Sequence, residues 1–311
     1  MKPNKPKTAK SSGTERSGLI VATFGGTADV EDEEGALFRC HFRRNSEPAI
    51  TGDQVIWAQE KNGTNVIIAH LPRKSLLGRP ENAHRMKLIA ANIDAIIIVT
   101  APPPIFSNEM IDRYLIAAEN LQITPIILLN KVDLLNPKEK IAMEEQLAVY
   151  EKIGYSVIFS STLTANGLTQ LAHVLQNKTC VLVGASGVGK SSIVAALTQD
   201  QSIVIGDVSA STHLGKHTTT ATRLYHLQSG GNLIDSPGVR EFGLWHVSKE
   251  EIRHGFCEFR VYAKNCKFRD CQHQKEPQCA VQKAISLQQI SQERFDNYEK
   301  ILSTLMDKKH D

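Results

Sequence analysis

At residues 184–192 the chain reads Gly184-Ala185-Ser186-Gly187-Val188-Gly189-Lys190-Ser191-Ser192, which contains a complete G-x-x-x-x-G-K-S phosphate loop. Such a loop needs a strand before it and a helix after it, and the runs at Thr179–Val183 and 192–197 supply both. Its glycines let backbone N–H groups turn toward phosphate oxygens, and the helix N-terminus adds a favourable dipole. The sequence therefore predicts a nucleotide site in which Lys190 contacts the β- and γ-phosphates as a catalytic residue and Ser191 ligates Mg²⁺.

A second nucleotide motif, Asn130-Lys131-Val132-Asp133, precedes the phosphate loop in the chain and follows an apolar run suited to a buried parallel strand. The Asp133 carboxylate can accept two hydrogen bonds from guanine, and a base that cannot donate both leaves it unpaired. Ser160 and Ser161, after the next strand, are expected to contact guanine O6 through backbone N–H groups. In guanine-nucleotide switches this motif usually follows the phosphate loop, so its position indicates a circularly permuted α/β GTPase domain.

The permutation is physically reasonable because such a pocket is assembled in space from loops at the carboxyl ends of strands. Opening the chain at one loop and joining the former termini keeps the pocket, since termini often lie close together. Residues 163–178 are expected to contain the new link.

The segment Asp235-Ser236-Pro237-Gly238, after a short strand, is expected to complete the phosphate side of the site. Asp235 suits a direct or water-mediated contact to Mg²⁺, and the N–H of Gly238 can meet the γ-phosphate. In the polar segment 213–220, Thr219 is expected to complete the Mg²⁺ shell, and the neighbouring threonines remain alternatives.

The residue that orients the attacking water is not obvious from the sequence. Switch GTPases commonly carry a Gln after the D-x-x-G element, whereas Val239 stands there in this chain. We expect His217, which is polar at neutral pH, to take this catalytic role. His213 is the alternative, and either histidine could instead be a loop residue or an RNA contact.

The composition predicts a globular protein. A length of 311 residues, with 41% hydrophobic and 22% charged residues, allows two or three domains. The chain has no apolar run of membrane-spanning length and no apolar signal core, which predicts a cytoplasmic protein with reduced thiols and no membrane partner. Residues 1–16 form a polar, basic tail that is expected to be disordered and to serve either nucleic-acid binding or solubility.

Residues 17–80 are expected to form a small OB-type β-barrel that binds RNA. From Ala36 to Arg43 the side chains alternate with period two between an apolar face and a mostly basic face. Basic residues suit an RNA backbone, and a merely solvated face is the alternative. The basic positions are Arg39, Arg43, Arg44, Lys61, Arg73 and Lys74.

Residues 81–245 alternate strand and helix patterns and form the predicted GTPase domain, and residues 246–311 form a mainly helical zinc-binding domain. Within the latter, Cys266, Cys271, His273 and Cys279 form a compact Cys₃His set. Thiolate and imidazole ligands suit one structural Zn²⁺, and metal binding is more common than disulfides in a cytoplasmic protein. Cys257 is a possible competing ligand, but its distance along the chain argues against it.

In its motif order, amino-terminal barrel and Cys₃His cluster, the chain resembles the RsgA (YjeQ) family of circularly permuted GTPases over nearly its whole length. The resemblance rests on residues 130–133, 184–192, 213–220 and 235–238 and on the four cluster residues. It implies a GTP- and GDP-binding, late-acting assembly factor of the bacterial 30S ribosomal subunit. It further implies binding to 16S rRNA and GTP hydrolysis stimulated by the subunit, and we expect a monomer.

Two other functions use the same motifs. In an RNA-binding checkpoint, nucleotide would serve as a clamp and hydrolysis as the release step, and this alternative remains open. A metabolic kinase built on the same phosphate loop is disfavoured, because it leaves the base-reading motif and the Cys₃His cluster without a role.

Overall fold

The amino-terminal strands share one apolar core, as their alternating pattern predicts. In the computed structural model, which describes residues 14–43, 47–82, 85–198, 222–235 and 247–307, this core contains Ile20, Val30, Trp57 and Ile67. The strands are β1 (Arg16–Phe24), β2 (Thr27–Glu31), β3 (Leu37–His41), β4 (Gln54–Gln59) and β5 (Asn65–His70).

These strands close into a barrel. β1 pairs antiparallel with β2 and with β4, β2 pairs with β3, and β4 pairs with β5. A parallel pairing of β3 with β5, at Cys40 and Asn65, completes the ring. The predicted amino-terminal barrel is therefore confirmed, and its strand order, which returns from β4 to β1, fits the OB type.

One basic residue of the predicted RNA-binding surface, Arg73, is half-buried and engaged with other parts of the barrel region. The Arg73 guanidinium donates from Nε to Oδ1 of Asp53 at 2.6 Å and from Nη2 to Oδ2 at 2.7 Å. Asp53 is buried, and Nη2 of Arg73 also donates to the carbonyl oxygen of Pro48. These donors hold the chain before β4, and a contact of Arg73 with RNA stays a prediction.

A hairpin links the barrel to the next sheet. Its strands β6 (Leu76–Asn82) and β7 (Arg85–Ala91) pair antiparallel. β6 crosses the predicted domain boundary between residues 80 and 81, and the division of the chain into domains stays a prediction.

A mainly parallel sheet follows, built from the apolar runs of the central sequence. The strands are β8 (Ala95–Thr100), β9 (Thr124–Leu129), β10 (Ser156–Phe159), β11 (Thr179–Val183), β12 (Arg223–His226) and β13 (Asn232–Asp235). Their spatial order is β10-β9-β8-β11-β13-β12, and the pairing of β12 with β13 is antiparallel while the others are parallel. Every residue of β8 is buried, which is typical of a parallel sheet covered on both faces.

Helices cover both faces of this sheet. They are α1 (Asn108–Leu121), α2 (Pro137–Ile153), α3 (Thr169–Val174) and α4 (Lys190–Thr198). Leu115 of α1 and Leu147 of α2 pack on one face, and Leu171 of α3 and Ile193 of α4 pack on the other. α2 begins where the sequence predicts, because Asn136 caps it reciprocally with Glu139.

The carboxyl-terminal helices enclose a third core. They are α5 (Lys249–Gly255), α6 (Phe259–Ala263), α7 (Ala280–Ser286) and α8 (Gln292–Asp307), so the polar segment after residue 284 belongs to two helices. Phe256, Phe259 and Tyr298 meet in this core with ring centroids 5.1–5.3 Å apart, and Ile116 of α1 is part of it. The predicted three-part architecture is thus confirmed. Among the described residues, none of the helices is both long enough and apolar enough to cross a membrane.

Candidate nucleotide and zinc sites

The phosphate loop lies between β11 and α4, as its motif requires. Gly184 has a φ of +138°, and a Cβ there would collide with the carbonyl oxygen of Val99 at the end of β8. Gly189 has a φ of +97°, and a Cβ there would collide with the side-chain amide of Asn130. Only glycine fits these two positions, since each combines a left-handed conformation with backbone or side-chain atoms in close approach.

The base-reading motif touches the phosphate loop directly. Asn130 follows β9 and is fully buried, and its Nδ2 donates to the carbonyl oxygen of Val188 at 2.9 Å. Lys131, with a φ of +62°, donates from Nζ to the carbonyl oxygen of Gly187 at 2.6 Å. Two motifs that are far apart in the chain are therefore joined at the carboxyl edge of the sheet.

The loop after β10 completes this corner. Ser160 donates from its hydroxyl to Oδ1 of Asn130 at 3.2 Å, and its carbonyl oxygen accepts from the N–H of Val132 at 3.1 Å. The hydroxyl of Ser161 donates to Oδ1 of Asp133, which is exposed. These bonds fix the position of the Asp133 carboxylate at the surface.

Lys190 lies within the curve of the loop. It is buried, and its Nζ donates to the carbonyl oxygens of Gly184 at 2.8 Å and Ala185 at 2.6 Å. Ser191 and Ser192 follow it as half-buried residues in the first turn of α4. Asp235 is the last residue of β13, the parallel neighbour of β11, so it lies at the same edge of the sheet as the loop.

Tyr114, on α1, lies near the loop although it belongs to none of the nucleotide motifs. Its side chain is buried, and its hydroxyl lies close to the backbone of Gly184. Burial raises the pKa of Tyr114, which keeps the hydroxyl neutral. A tyrosine at helical spacing is typical of a core residue, so the sequence does not predict this contact.

Several predicted site residues lie outside the described part of the chain. They are His213, His217, Thr218, Thr219, Thr220, Ser236, Pro237, Gly238 and Val239.

The four predicted zinc ligands form one compact cluster. Their ligand atoms lie within 4.8 Å of one another, and three of the four residues are buried. The Sγ atoms of Cys266 and Cys279 are 3.9 Å apart, and Nδ1 of His273 lies 3.6 Å from the first and 3.4 Å from the second. A tetrahedral zinc ion with usual bond lengths requires about 3.8 Å between sulfurs and about 3.5 Å between sulfur and nitrogen. The donor set and its spacing therefore fit a zinc ion.

The backbone around this cluster is held by side chains that are not ligands. The Glu276 carboxylate accepts from the N–H groups of Gln272 at 2.7 Å and Gln274 at 2.8 Å. Nε2 of Gln282 donates to the carbonyl oxygen of His273 at 2.6 Å. These bonds hold His273 in a left-handed conformation, with a φ of +62°, from which Nδ1 faces the cysteines.

The cluster favours a neutral imidazole. Burial and the nearby Arg253 guanidinium lower the pKa of His273 to about 4, so the ring is available as a ligand near neutral pH. Burial raises the pKa of the Cys271 thiol to about 12, so zinc binding must displace protons from thiols. Cys257 lies apart, with its Sγ 3.1 Å from the Tyr155 hydroxyl.

The chain is similar to known GTPases over nearly its whole length. A family model described as RsgA GTPase matches residues 70–245. The small ribosomal subunit biogenesis GTPase RsgA 1 of Vibrio vulnificus (strain YJ016) is 47% identical over 302 residues, which cover 96% of this chain and 86% of that protein. The corresponding RsgA of Shewanella oneidensis is 46% identical over 314 residues, covering 99% of this chain and 89% of that protein.

Solved structures show the same likeness over the full fold. The crystal structure of YjeQ from Thermotoga maritima superposes with a TM-score of 0.77 at 30% identity, covering 94% of this chain and 99% of that one. YloQ, described as a circularly permuted GTPase, superposes with a TM-score of 0.75 at 27% identity, covering 95% and 96%.

Proposed function

The chain belongs to the RsgA GTPase family and is a GTPase, and on that premise we propose that it couples GTP hydrolysis to maturation of the small ribosomal subunit. The names of its relatives describe them as small ribosomal subunit biogenesis GTPases. The observation that carries the proposal for the site is the direct contact of Asn130 and Lys131 with the phosphate loop. That contact supports one pocket for base and phosphates despite the reversed motif order.

We assign the guanine subsite to the residues after β9 and β10. The exposed Asp133 carboxylate would accept from the two donors of guanine, and Ser161 holds it in place. Asn130 and Lys131 would maintain the loop, and the backbone around Ser160 and Ser161 would face guanine O6. The base subsite thus comprises residues 130–133 with Ser160 and Ser161.

The proposed reaction is attack of water on the γ-phosphorus of GTP, which breaks the bond to the β,γ-bridging oxygen and gives GDP and phosphate. Residues 184–192 would surround the phosphates with backbone N–H groups, and Lys190 would neutralise charge on the β- and γ-phosphates. The N–H of Gly238 would contact the γ-phosphate. His217 would orient the water in place of the Gln that Val239 replaces.

Mg²⁺ fits the oxygen donors at this edge of the sheet, where the Ser191 hydroxyl and the Asp235 carboxylate lie on neighbouring elements. Ser191 and Thr219 would hold the ion, with Asp235 in direct or water-mediated contact. When bound, Mg²⁺ neutralises charge that develops on the phosphate oxygens.

The remaining parts of the proposal concern partners. The barrel and the zinc-binding domain would bind 16S rRNA of the 30S subunit, and the zinc ion would stabilise the latter domain. We propose that the protein acts in the cytoplasm as a monomer, with the basic tail at 1–16, the barrel at 17–80, the GTPase domain at 81–245 and the zinc domain at 246–311.

The guanine assignment is tested by Asp133→Asn in the full chain. We expect the affinity for GTP to fall at least about a hundredfold, because the amide cannot accept both guanine donors. The matched control is Glu145→Gln, which changes an exposed carboxylate on α2. Equal GTP affinity of Asp133→Asn and the control, measured by nucleotide titration, would overturn this assignment.

The coupling to the ribosome is tested by GTP turnover with and without purified small subunits. Stimulation in the wild type and its loss in His217→Ala at saturating GTP are the expected results, and an unchanged kcat would exclude the role of His217. Subunit affinity with GDP and with a non-hydrolysable GTP analogue should also differ. Equal affinities would contradict a nucleotide switch.

A further inference from the structure

A cleft of about 320 Å³ opens beside the zinc cluster, between α5, α6 and the loop that joins Cys266 to Cys271. We call it the knuckle cleft. It is lined by Arg253, Arg260, Arg269, Phe268 and His273, among others. Its size is at the lower end of the range of small-ligand pockets. Neither the nucleotide chemistry nor the zinc ion uses it.

The arginines around the knuckle cleft differ in how many hydrogen bonds and ion pairs they form within the protein. Arg260 is paired with Glu119 at 2.7 Å. Arg253 donates to the carbonyl oxygen of Cys271 at 3.0 Å and lies 3.5 Å from Glu250, which is largely exposed. Arg269 is exposed and has neither a hydrogen bond nor an ion pair within the described ranges of the chain. Glu250 and Glu251 also line the cleft, and the Glu251 carboxylate accepts from Ser248. Among the described residues that line the cleft, Arg269 is therefore the cation that is available for an anion.

An exposed aromatic ring stands at the same cleft. The Phe268 side chain is 41% exposed, although it is one of the largest apolar side chains of the domain. The ammonium of Lys267 lies 5.6 Å from its ring centroid. An aromatic face next to cations is the combination on which unpaired bases stack in single-stranded nucleic-acid sites.

The floor of the knuckle cleft contains an unpaired donor. His273 is 1% exposed, and its Nε2 lacks a hydrogen-bond partner among the residues that the structure describes. With Nδ1 as the ligand of a bound metal, the neutral ring would carry its proton on Nε2. Imidazoles that ligate metals usually donate this second N–H to an oxygen. Within residues 14–43, 47–82, 85–198, 222–235 and 247–307, no oxygen accepts from this nitrogen.

We propose that the knuckle cleft binds one unpaired nucleotide of an RNA strand, with its base on Phe268 and its phosphate between Arg253 and Arg269. This inference rests on the proposed function, since it specifies the kind of RNA that the zinc domain recognises. Positive charge alone would equally suit an acidic protein segment. The exposed aromatic face favours RNA, because a carboxylate-rich segment gains little from it.

The test uses the full, zinc-loaded chain and a short single-stranded RNA that carries one 4-thiouridine. Irradiation should crosslink the RNA to the segment that contains Phe268, and mass spectrometry of the digested complex locates the site. Affinity measured by fluorescence anisotropy should fall about tenfold in Phe268→Ala and recover in Phe268→Tyr, which keeps the stacking face. Arg269→Gln should reduce the steepness of the plot of log affinity against log salt concentration by about one, because one phosphate contact is lost.

Matched controls are Leu287→Ala and Lys283→Gln. They change an exposed apolar and an exposed basic side chain that follow the last cluster residue, Cys279, in the chain. Zinc content is measured for every variant to show that the zinc domain is intact. The crosslinking experiment uses the wild type, so its result does not depend on the folding of a variant. Crosslinks confined to the barrel, or equal affinity of Phe268→Ala and its control, would overturn the inference. Loss of subunit binding without loss of binding to free RNA would indicate an acidic protein partner and would overturn it as well. GTP turnover with and without small subunits is measured on the same samples. Stimulated turnover without the expected crosslink would overturn this inference and leave the proposed function standing.

Discussion

The central sheet is joined to its two neighbouring regions in different ways. On the barrel side, β1 pairs with β12 at Ala22 and Arg223, so the barrel continues the sheet through backbone hydrogen bonds. On the carboxyl-terminal side, Arg294 of α8 is 2% exposed and forms ion pairs with Asp112 of α1 and with Glu258. The first junction depends on backbone groups that every residue but proline carries, and the second depends on particular side chains.

This difference has an energetic meaning. A buried guanidinium is tolerable only when its donors are met, and Arg294 also stacks over the rings of Tyr150 and Phe256 at 5.4 and 4.4 Å. Burial lowers the pKa of Arg294, but the Asp112 and Glu258 carboxylates outweigh it and raise the pKa above its usual value. The carboxyl-terminal junction should therefore respond to single substitutions far more strongly than the barrel junction.

Metal removal is expected to have the largest effect, because it acts on the whole carboxyl-terminal core. Cys271 and Cys279 belong to that core together with Ile116 of α1. Structural zinc contributes roughly 10 kcal/mol in small zinc peptides, so chelation should unfold the region after α5 well below the melting temperature of the rest. Calorimetry with a strong chelator and metal analysis measure this, and Cys279→Ser should match chelation. Cys257→Ser is the control and should keep its zinc. A single thermal unfolding transition at an unchanged melting temperature after metal removal would contradict this prediction.

Asp112→Ala tests the ion pair at the junction itself. The substitution leaves Arg294 buried with one partner missing, which should lower the free energy of unfolding by about 3–5 kcal/mol. Denaturant titration of the full chain gives the value. The control is Glu109→Ala, whose partners Arg113 and Lys300 are more exposed and whose loss should cost less than about 1 kcal/mol. Equal costs for the two variants would show that the buried ion pair is no more important to the carboxyl-terminal junction than a more exposed one between the same two helices.

Gly255→Ala tests how closely α5 approaches α1. A Cβ at Gly255 would collide with the backbone and side chain of Ile116. In a free helix alanine is favoured over glycine by about 1 kcal/mol, so net destabilisation of about 1–3 kcal/mol would reveal the overpacking. Gly26→Ala, in an open turn of the barrel, should be nearly neutral in the same denaturant titration. A more stable Gly255→Ala protein would show that the helices can separate without cost.

Glu31→Gln should have the smallest effect and acts at the barrel junction. Burial lowers the pKa of His226, but its hydrogen bonds to Glu31 at 2.6 Å and Asn232 at 2.7 Å outweigh this and raise the pKa. The stabilisation from this contact is therefore fully present below about pH 6.5, the pKa of an unfolded histidine. It is lost as the pH rises through the higher pKa that His226 has in the folded protein. The His226 side chain is 53% exposed, so the gain is small.

The measurement is an NMR titration of His226 in both proteins. Its pKa should fall in Glu31→Gln and stay unchanged in Glu34→Gln, a control on the same side of the barrel. An unchanged pKa in Glu31→Gln would mean that the barrel junction depends on its backbone pairing alone.

Much of the fold follows from the sequence, because its elements are short and strongly patterned. The strand Thr179–Val183 and the capped start of α2 lie where the sequence predicts them. The candidate metal cluster can be identified from the sequence because three cysteines and a histidine occur close together in the chain. The ion pair of Arg73 could not be predicted, since a basic residue gives no sign that it pairs with a buried aspartate, Asp53, 20 residues earlier in the chain.

The sequence by itself determined which residues are candidates to bind phosphate, guanine and zinc, because each such site needs particular residue types at fixed local spacing. Tertiary structure decided which distant groups meet. The bonds of Asn130 and Lys131 to the phosphate loop, the contact of Tyr114 with Gly184 and the ion pairs of Arg294 all join residues far apart in the chain. Such contacts depend on how helices pack on the sheet, and local spacing contains no information about that packing.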